Sequence, residues 1–340
     1  MKTPDRPLRV TMVNKYYLPP HLGGVETIVR TLSEGLVEHA GARVRALVSN
    51  ENRARVEETI GGVDVVRLPR QLALSSAPVA AGMPGALRGE MRRQGPHGPQ
   101  PPDVINLHSP YPWGELSFLQ ASLDVPSVVL YHSDIVRQRL LLTAYRPFLE
   151  RFLDRVDLIV TSSPNMVRHS PLLAPRAEKC RVVPFGLPAQ RLTATPAVLR
   201  RAAELRAARA GRQIVLFVGR LVYYKGVDVL VQAMAGVDAD LVLIGRGPLE
   251  AELREFVCAS GIVPRVTFLA PQGDDELRAR LGGQAQERAL REFTVPRMVA
   301  RTLDVYAEAA ARHAARRGSC LLYTSPSPRD RQKSRMPSSA

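Results

Sequence analysis

Short apolar runs alternate with amphipathic segments over the first half of the chain. Brief stretches rich in β-branched residues, bounded by polar or proline-containing loops, predict buried strands at residues 8–14, 43–49, 63–68, 103–107, 127–132 and 157–161. Apolar positions three and four residues apart predict helices between them, at residues 25–39, 136–153 and 163–173. Strands that alternate with helices in this way indicate a parallel, doubly wound α/β sheet.

The alternation restarts near residue 211, with three further strands predicted at residues 213–218, 240–244 and 265–269. Helices are predicted at residues 227–235, 249–260 and 274–281. We therefore expect an N-terminal Rossmann-like domain over residues 1–190 and a partial C-terminal domain over residues 211–281. Residues 282–317 are helical in pattern and contain no further strand. Two such domains in series place a ligand in the cleft between them, at the carboxyl ends of the strands.

The second domain has only half of the strands of a doubly wound sheet. Its first strand lacks a neighbour on the far side, which leaves one sheet edge unpaired. Residues 318–340 are rich in Ser, Pro and Arg without periodicity, which predicts disorder. Residues 320–330 (CLLYTSPSPRD) resemble translated sequencing-adapter sequence, so we interpret this tail as foreign to the natural protein.

Composition narrows the class of protein. The 340 residues are 45% apolar, which excludes collagen-like and globally disordered chains. No apolar run reaches the roughly 18 residues of a membrane-spanning helix, and the N-terminus lacks the apolar core of a signal peptide. Three separated cysteines without a CxxC pair fit a reducing compartment, so we expect a cytoplasmic protein.

The net charge of +15 is uneven along the chain, because residues 312–340 contain seven basic residues and one acidic residue. The other arginines are scattered, without the aromatic interleaving or motif spacing of a nucleic-acid-binding surface. The charge therefore favours loose peripheral contact with an anionic membrane over contact with nucleic acid.

Gly23 and Gly24 lie where the loop after the first strand meets the first helix. Glycines let the backbone approach a phosphate closely, and the N-terminus of a helix favours an anion. A tight turn that only starts the helix is the alternative, and a glycine pair alone does not separate the two.

Arg220 and Lys225 lie in the loop after the first strand of the second domain (GRLVYYKG, residues 219–226). Both can reach a diphosphate there, the arginine as a two-pronged donor and the lysine as a point charge. Two ordinary solvated cations are the alternative. Gly245 and Gly247 make a tight turn after the next strand, either near a nucleotide or for structural reasons alone.

His132 stands at the end of the strand 127–132, in the order Tyr-His-Ser-Asp. Sites of α/β proteins lie at such strand ends, where a histidine orients a hydroxyl group or shields developing charge. Simple packing at the sheet end is the alternative. His108, Trp113 and His21 are weaker candidates for lining the same cleft. The sequence has no HExxH or P-loop signature, and we expect no metal.

In chain order, the segments GGVE, YHSDIV, VDLIVTSSPNM, VVPFG, LFVGRLVYYKGVDVL and LVLIGRGP resemble the family-4 glycosyltransferases. The resemblance spans about residues 9–281 and resumes at residues 282–311. It implies the GT-B fold, with two Rossmann-like domains facing each other across a cleft. It also implies a retaining, metal-independent bacterial enzyme that moves a hexosyl group from a UDP- or GDP-linked sugar to a polysaccharide or lipid-linked glycan, in cell-envelope biosynthesis.

The same resemblance implies residue roles. Arg220 and Lys225 correspond to the pair that grips the donor diphosphate, and Gly24, beside Gly23, to the loop residue whose backbone meets the donor phosphate. His132 corresponds to the active-site histidine near the transferred sugar. The leaving diphosphate would then be stabilised by fixed cations in place of a metal.

One expected segment is missing. The family carries a Glu-x7-Glu motif in the second domain that holds the donor sugar and the ribose, and this chain has none there. Its single pair at that spacing, Glu26 and Glu34, lies in the first helix. The sequence therefore predicts an internal deletion joined within residues 275–281.

Three alternatives to an active transferase follow. In the first, the chain is a catalytically defective homologue, because it keeps only part of the donor site. In the second, it is a GT-B nucleotide-sugar epimerase, since a fold does not fix a function. In the third, it is an NAD-dependent enzyme, which the absence of the GxGxxG fingerprint disfavours.

Overall fold

The computed structural model describes residues 6–20, 23–74, 77–95, 98–135, 139–188, 196, 200, 203–204, 207, 212–269 and 283–321. Contacts divide the chain into two compact units. The first comprises Met1–Gly186 and Phe293–Ala340, and the second comprises Leu187–Glu292.

An eight-stranded sheet forms the centre of the first unit. Its strands are β1 (Arg9–Asn14), β2 (Arg43–Ser49), β3 (Val56–Ile60), β4 (Val63–Leu68), β9 (Val104–Ser109), β10 (Ser127–Tyr131), β11 (Leu158–Thr161) and β12 (Cys180–Val182). The order across the sheet is β12-β11-β10-β9-β1-β2-β4-β3. All neighbours are parallel except β3, which runs antiparallel to β4 at the edge. Two small antiparallel pairs complete the strands: β5 (Leu72–Leu74) with β6 (Ala77–Val79), and β7 (Gln94–Gly95) with β8 (Gly98–Pro99).

Helices cover both faces of this sheet, which is why its central strands are apolar on both sides. The helices of the first unit are α1 (Gly24–Ala40), α2 (Met83–Met91), α3 (Pro112–Ala121), α4 (Arg139–Arg155), α5 (Pro164–His169) and α9 (Val295–Leu321). One core cluster joins Ile105 and Leu107 of β9 to α2, α3 and α4. A second cluster joins Val104 of β9 to α1 and α9. Alternate residues of β9 therefore point to opposite layers.

The last helix packs on the first unit, although it follows the second unit in the chain. Met298, Val299 and Tyr306 of α9 lie in the same buried cluster as α1. Nε of Arg181 donates to Oε2 of Glu308 at 2.7 Å, which ties the end of the sheet to the helix. The first unit thus comprises two separate stretches of sequence.

The second unit contains a three-stranded parallel sheet in the order β13-β14-β15 (Ile214–Val218, Asp240–Ile244, Val266–Leu269). Its helices are α6 (Val227–Ala233), α7 (Glu250–Ala259) and α8 (Gly283–Glu292). Within the described residues β13 has a single strand neighbour, and the side chains at its two ends, Ile214 and Val218, are 37% and 44% exposed. An apolar parallel strand is normally buried on both sides, so this edge is unusually open.

The α/β class and the parallel sheet are confirmed, and all nine predicted strands occur within two residues of their predicted bounds. The helix predicted over residues 163–173 is too long: α5 ends at His169, and a 3₁₀ helix over Ala174–Lys179 follows after a turn. Ser170 is extended because it precedes Pro171, which disfavours helical backbone at the residue before it. The helix predicted over 274–281 and the chain joint lie outside the described residues.

The end of the chain differs from the prediction. Helix α9 extends through Leu321, so residues 318–321 of the predicted disordered tail are helical. Residues 322–340 lie outside the described part of the chain.

Candidate functional site

Two histidines meet at the carboxyl edge of the large sheet. His108 belongs to β9, and His132 directly follows the neighbouring strand β10. Nδ1 of His108 lies 3.0 Å from Nε2 of His132, and the amide nitrogen of Asn106 lies 3.1 Å from Nε2 of His108. The structure thus brings His132 and the weaker candidate His108 together in one chain of polar contacts.

His132 lies between two aromatic neighbours. Its ring centroid is 5.3 Å from that of His108 in a stacked arrangement and 5.4 Å from that of Phe185. Burial lowers the pKa of His132 to about 4. Burial, and then the neighbouring His132, lower the pKa of His108 well below its ordinary value. Both rings are therefore neutral at pH 7, which suits hydrogen bonding and not charge stabilisation by an imidazolium.

The two glycines occupy the start of α1. Gly23 caps the helix with an extended backbone, and its carbonyl accepts hydrogen bonds from N and Oγ1 of Thr27 at 2.9 and 2.8 Å. A Cβ placed on Gly24 would meet no described atom within 4 Å. A Cβ on Gly23 would lie 2.1 Å from Oε2 of Glu26, which folds back over the turn. The helix start is therefore open at Gly24.

Lys15, which sequence reasoning missed, follows β1 close to this turn. Burial lowers the pKa of Lys15, whereas the charge of Glu26 raises it. The ammonium group also lies 5.5 Å from the ring centroid of Tyr16. A half-buried cation next to the open helix start adds positive potential for an anionic ligand. The sequence feature that could have identified Lys15 is a single lysine directly after the first strand.

Arg67 braces the loop that leads to the glycines. Its guanidinium group donates from Nη1 to the carbonyl of Tyr17 at 3.1 Å and from Nη2 to the carbonyl of Pro19 at 2.5 Å. Its Nε donates to Oε1 of Glu58 at 2.5 Å. Because this arginine is only 6% exposed, its charge is held by fixed acceptors, and the loop is fixed in turn.

Asp134 anchors the segment after His132. Its Oδ1 accepts hydrogen bonds from the hydroxyl groups of Tyr131 and Ser170, both at 2.7 Å. The aspartate of the His-Ser-Asp sequence thus connects the end of β10 to the turn after α5. Residues 136–138 lie outside the described residues.

In the second unit, Arg220 and Lys225 flank a single loop at the carboxyl end of β13. Lys225 ends a short 3₁₀ helix, and Gly226, with φ of 64°, is the N-cap of α6. Both cationic side chains are exposed, and neither forms an ion pair with any residue that the structure describes. Two cations at a strand end that lack a counterion among the described residues fit the capture of an anion.

Gly245 and Gly247 have a clear packing role. A Cβ on Gly245 would lie 1.9 Å from the carbonyl oxygen of Gly219, and one on Gly247 would lie 2.2 Å from that of Leu221. The loop after β14 therefore presses directly on the backbone of the loop that carries Arg220. These glycines hold the Arg220 loop in place, and donor contact by them stays a prediction.

Trp113 serves the first unit's structure, since its Nε1 donates to the carbonyl of Ala80 at 2.7 Å. His21 lies outside the described residues. A cavity of about 270 Å³ lined by Arg9, Arg43 and Glu90 is present as well. It lies at the amino ends of β1 and β2, away from the carboxyl-edge residues, and is therefore separate from the candidate site.

Metal-ligating groups of three or more His, Cys, Asp or Glu side chains are absent from the described residues. Asp238 and Asp240 have the spacing of a metal-binding pair, but they precede and begin β14, and Arg212 pairs with both. None of the described helices is long and apolar enough to cross a membrane.

Comparisons with known proteins agree with this picture. Residues 22–191 match the family described as Glycosyltransferase Family 4, and residues 203–283 match Glycosyl transferases group 1. The chain is 36% identical over 279 residues to the D-rhamnosyltransferase WbpZ of Pseudomonas aeruginosa, covering 81% of this chain and 68% of that protein. It is 32% identical to the O-antigen chain mannosyltransferase C of Escherichia coli, covering 79% and 69%.

Solved structures share the fold. Sucrose-phosphate synthase from Thermosynechococcus elongatus superposes with a TM-score of 0.58 at 21% identity, covering 80% of this chain and 72% of that one. Anabaena HepE in complex with UDP superposes with a TM-score of 0.54 at 15% identity, covering 79% and 71%. The family matches and the shared fold define a GT-B glycosyltransferase. The chain belongs to glycosyltransferase family 4.

Proposed function

We propose that this protein transfers a hexosyl group from a GDP- or UDP-linked sugar to a polysaccharide or lipid-linked glycan acceptor. The observation that carries the proposal is a set of carboxyl-edge features: the open helix start at Gly24, the neutral His132, and the exposed cations Arg220 and Lys225, which have no ion-pair partner among the described residues. A relative from Corynebacterium glutamicum that is 27% identical is named a GDP-mannose-dependent alpha-mannosyltransferase, which favours a GDP-linked donor. The name of the Escherichia coli relative, an O-antigen chain mannosyltransferase, favours an O-antigen type of acceptor.

Arg220 and Lys225 stabilise the departing diphosphate in this proposal. Transfer breaks the bond between the anomeric carbon and a phosphate oxygen and forms one to an acceptor hydroxyl oxygen, which releases its proton to water, so negative charge develops on the departing diphosphate. Two exposed cations on one loop meet that charge without a metal ion. Gly24 supplies backbone N–H groups at the helix N-terminus to the donor phosphate.

His132 acts on the sugar side of the donor. A neutral imidazole donates a hydrogen bond to a sugar hydroxyl group, which orients the ring without adding a fixed positive charge. We propose that the reaction retains the anomeric configuration, and that the protein acts at the cytoplasmic face of a membrane where lipid-linked acceptors lie.

The proposal is tested by incubating the full chain with GDP-mannose, GDP-rhamnose or UDP-glucose, with and without a lipid-linked glycan acceptor, and measuring release of the nucleoside diphosphate. We expect acceptor-dependent release with at least one GDP-linked sugar, unchanged by a metal chelator. No release from any donor would refute transferase activity. Release of epimerised sugar without acceptor would instead indicate an epimerase.

Substitution of Arg220 by Ala tests the role of the cation. We expect kcat/KM to fall about 10²- to 10³-fold, because the charge on the departing diphosphate then lacks one fixed donor. Arg146→Ala is the matched control, since Arg146 is an exposed arginine of α4 that pairs with Glu150 at 2.8 Å. Equal rates for the two variants would contradict the assignment.

A catalytically defective homologue is the second candidate. The specific observations behind it are the missing Glu-x7-Glu segment and the sheet of the second unit, in which β13 has one neighbour among the described residues. In that case the chain would bind donors weakly or not at all. Titration calorimetry with GDP-mannose separates the two, because micromolar affinity supports an intact donor site and millimolar affinity supports a defective one.

A further inference from the structure

Three polar side chains form a buried line beside the site. Asn106 and His108 are two residues apart on β9, so both point to the layer formed by α1 and α9. Both are at most 2% exposed. Their contacts continue from the amide nitrogen of Asn106 to Nε2 of His108, and from Nδ1 of His108 to Nε2 of His132, at 3.1 and 3.0 Å.

The contacts determine where each proton lies. The amide nitrogen of Asn106 can only donate, so Nε2 of His108 accepts and the proton of a neutral His108 is on Nδ1. Nδ1 of His108 then donates to Nε2 of His132, which leaves the proton of His132 on Nδ1. The lowered pKa values of both rings agree with neutral imidazoles.

The opposite orientation of the Asn106 amide is less favourable. In the observed orientation, Oδ1 of Asn106 is a buried acceptor without a partner among the described residues. Reversing the amide would place the two N–H groups of Asn106 there, and buried orphan N–H groups are rarer in proteins than buried orphan oxygens. The line of contacts therefore runs from Asn106 towards His132.

We propose that Asn106 and His108 are positioning residues that hold His132 as the neutral Nδ1–H tautomer. His132 then presents one fixed donor, Nδ1–H, outside this line of contacts, and Nε2 is occupied. Free imidazole exchanges between its two neutral forms, so a fixed tautomer gives the site a donor at one defined atom. The catalytic use of that donor rests on the proposed transferase function, whereas the tautomer itself does not.

The test is a long-range ¹H–¹⁵N NMR spectrum of the full chain labelled with ¹⁵N-histidine, recorded at pH 7. We expect Nδ1 of His132 to show a protonated nitrogen shift and Nε2 an unprotonated one, with the same pattern for His108. A protonated Nε2 on His132, or an imidazolium, would overturn the proposal. This result does not depend on activity, so it is separate from a failure of the proposed function.

Two substitutions sharpen the test. His108→Phe keeps a ring stacked against His132 but removes its hydrogen-bond donor, so we expect His132 to shift to exchange between both tautomers and kcat to fall at least tenfold. Phe185→Leu is the matched control, because it changes the other ring neighbour and leaves the hydrogen bond intact. In this control, His132 should keep the Nδ1–H tautomer of the parent chain.

Asn106→Leu provides a second route if His108→Phe fails to fold. It removes the donor at the start of the line and leaves both histidines in place, so His132 should again populate both tautomers. A fixed Nδ1–H form of His132 in a folded Asn106→Leu or His108→Phe variant would contradict the proposal.

Discussion

At the scale of single residues, burial shifts the pKa of a carboxyl group in the core of the first unit. Glu115 of α3 is 1% exposed, and its carboxylate accepts hydrogen bonds from the backbone N–H of Tyr111 at 2.9 Å and from the hydroxyl group of Tyr145. Burial raises the pKa of Glu115 to about 7, because too few donors offset the loss of water.

Glu115 makes stability depend on pH. Its pKa is higher in the folded chain than in the unfolded chain, so the folded state binds the proton more tightly. Stability is therefore lost as pH rises from about 4.5 towards 7 and above. Glu115→Gln lacks this penalty, so its unfolding free energy relative to the parent chain should rise by roughly 2 to 3 kcal/mol between pH 5 and pH 8. Denaturant unfolding at both pH values measures the unfolding free energies of the variant and the parent chain. A difference between the two that is the same at pH 5 and pH 8 would contradict the prediction.

Gly186 shows how closely two backbones approach. A Cβ there would lie 2.7 Å from the carbonyl oxygen of Thr294 and from Cα of Val295, at the start of α9. Gly186→Ala should lower the unfolding free energy by about 1–3 kcal/mol, because backbone must move to make room. Gly85→Ala in α2 is the control, since no described atom lies within 4 Å of its Cβ, and it should be neutral or stabilising. Similar melting temperatures for both variants would refute the packing argument.

At the scale of secondary structure, α9 is locked to the first unit by a buried carboxylate. Oδ2 of Asp157 accepts hydrogen bonds from N and Oγ of Ser127 at 2.8 and 2.9 Å, and its Oδ1 pairs with Arg316 of α9. This side chain is fully buried, so the aspartate joins β10, β11 and the final helix at one point.

Removing that carboxylate should destabilise the first unit. Asp157→Ala leaves the buried N–H and hydroxyl groups of Ser127 without an acceptor, which costs about 1–3 kcal/mol, whereas the half-exposed Arg316 is solvated by water. Arg317→Ala is the matched control, because Arg317 pairs with Asp124 at 3.2 Å with both side chains more than half exposed. Chemical denaturation should show that Arg317→Ala changes the unfolding free energy by no more than about 0.5 kcal/mol. Equal losses of unfolding free energy in Asp157→Ala and Arg317→Ala would contradict the stabilising role of the buried carboxylate.

Sequence patterns predicted the elements that bury apolar runs and missed those that do not. The strand β3 (VEETI) has no apolar alternation and pairs at the edge, so its place depends on the neighbour β4. Helix α3 begins at Pro112 after an irregular turn, and its apolar residues do not form one stripe. Both follow from tertiary contacts that a local pattern does not contain.

The candidate site was predictable only in part. His132 and Gly24 were predicted because positions at strand and helix ends carry a physical signal, and their roles stay predictions. The pairing of His108 with His132 joins residues 24 positions apart, and no spacing rule predicts it. Arg67 likewise acts from β4 on a loop some 48 residues earlier in the chain.

At the scale of the whole molecule, the two units differ in the size of their cores. The buried clusters of the first unit involve helices on both faces of an eight-stranded sheet, whereas one smaller cluster serves the three-stranded sheet. Less buried apolar area means lower local stability.

The second unit should therefore open first. We expect backbone amides of β13 and β14 to exchange with deuterium at least tenfold faster than those of β9 and β10, because the smaller unit opens at a lower free energy. Hydrogen-exchange mass spectrometry on the full chain measures this difference. Uniform protection of both sheets would contradict the argument from core size.

The most direct test of the central claim is the ¹H NMR spectrum of the product formed by the full chain from GDP-mannose and a lipid-linked glycan acceptor. A retaining glycosyltransferase predicts a new anomeric signal of an α-linked mannosyl residue on the acceptor, together with free GDP. A β-linked mannosyl signal, or only free mannose from hydrolysis, would contradict the claim, as would unchanged donor with each of GDP-mannose, GDP-rhamnose and UDP-glucose.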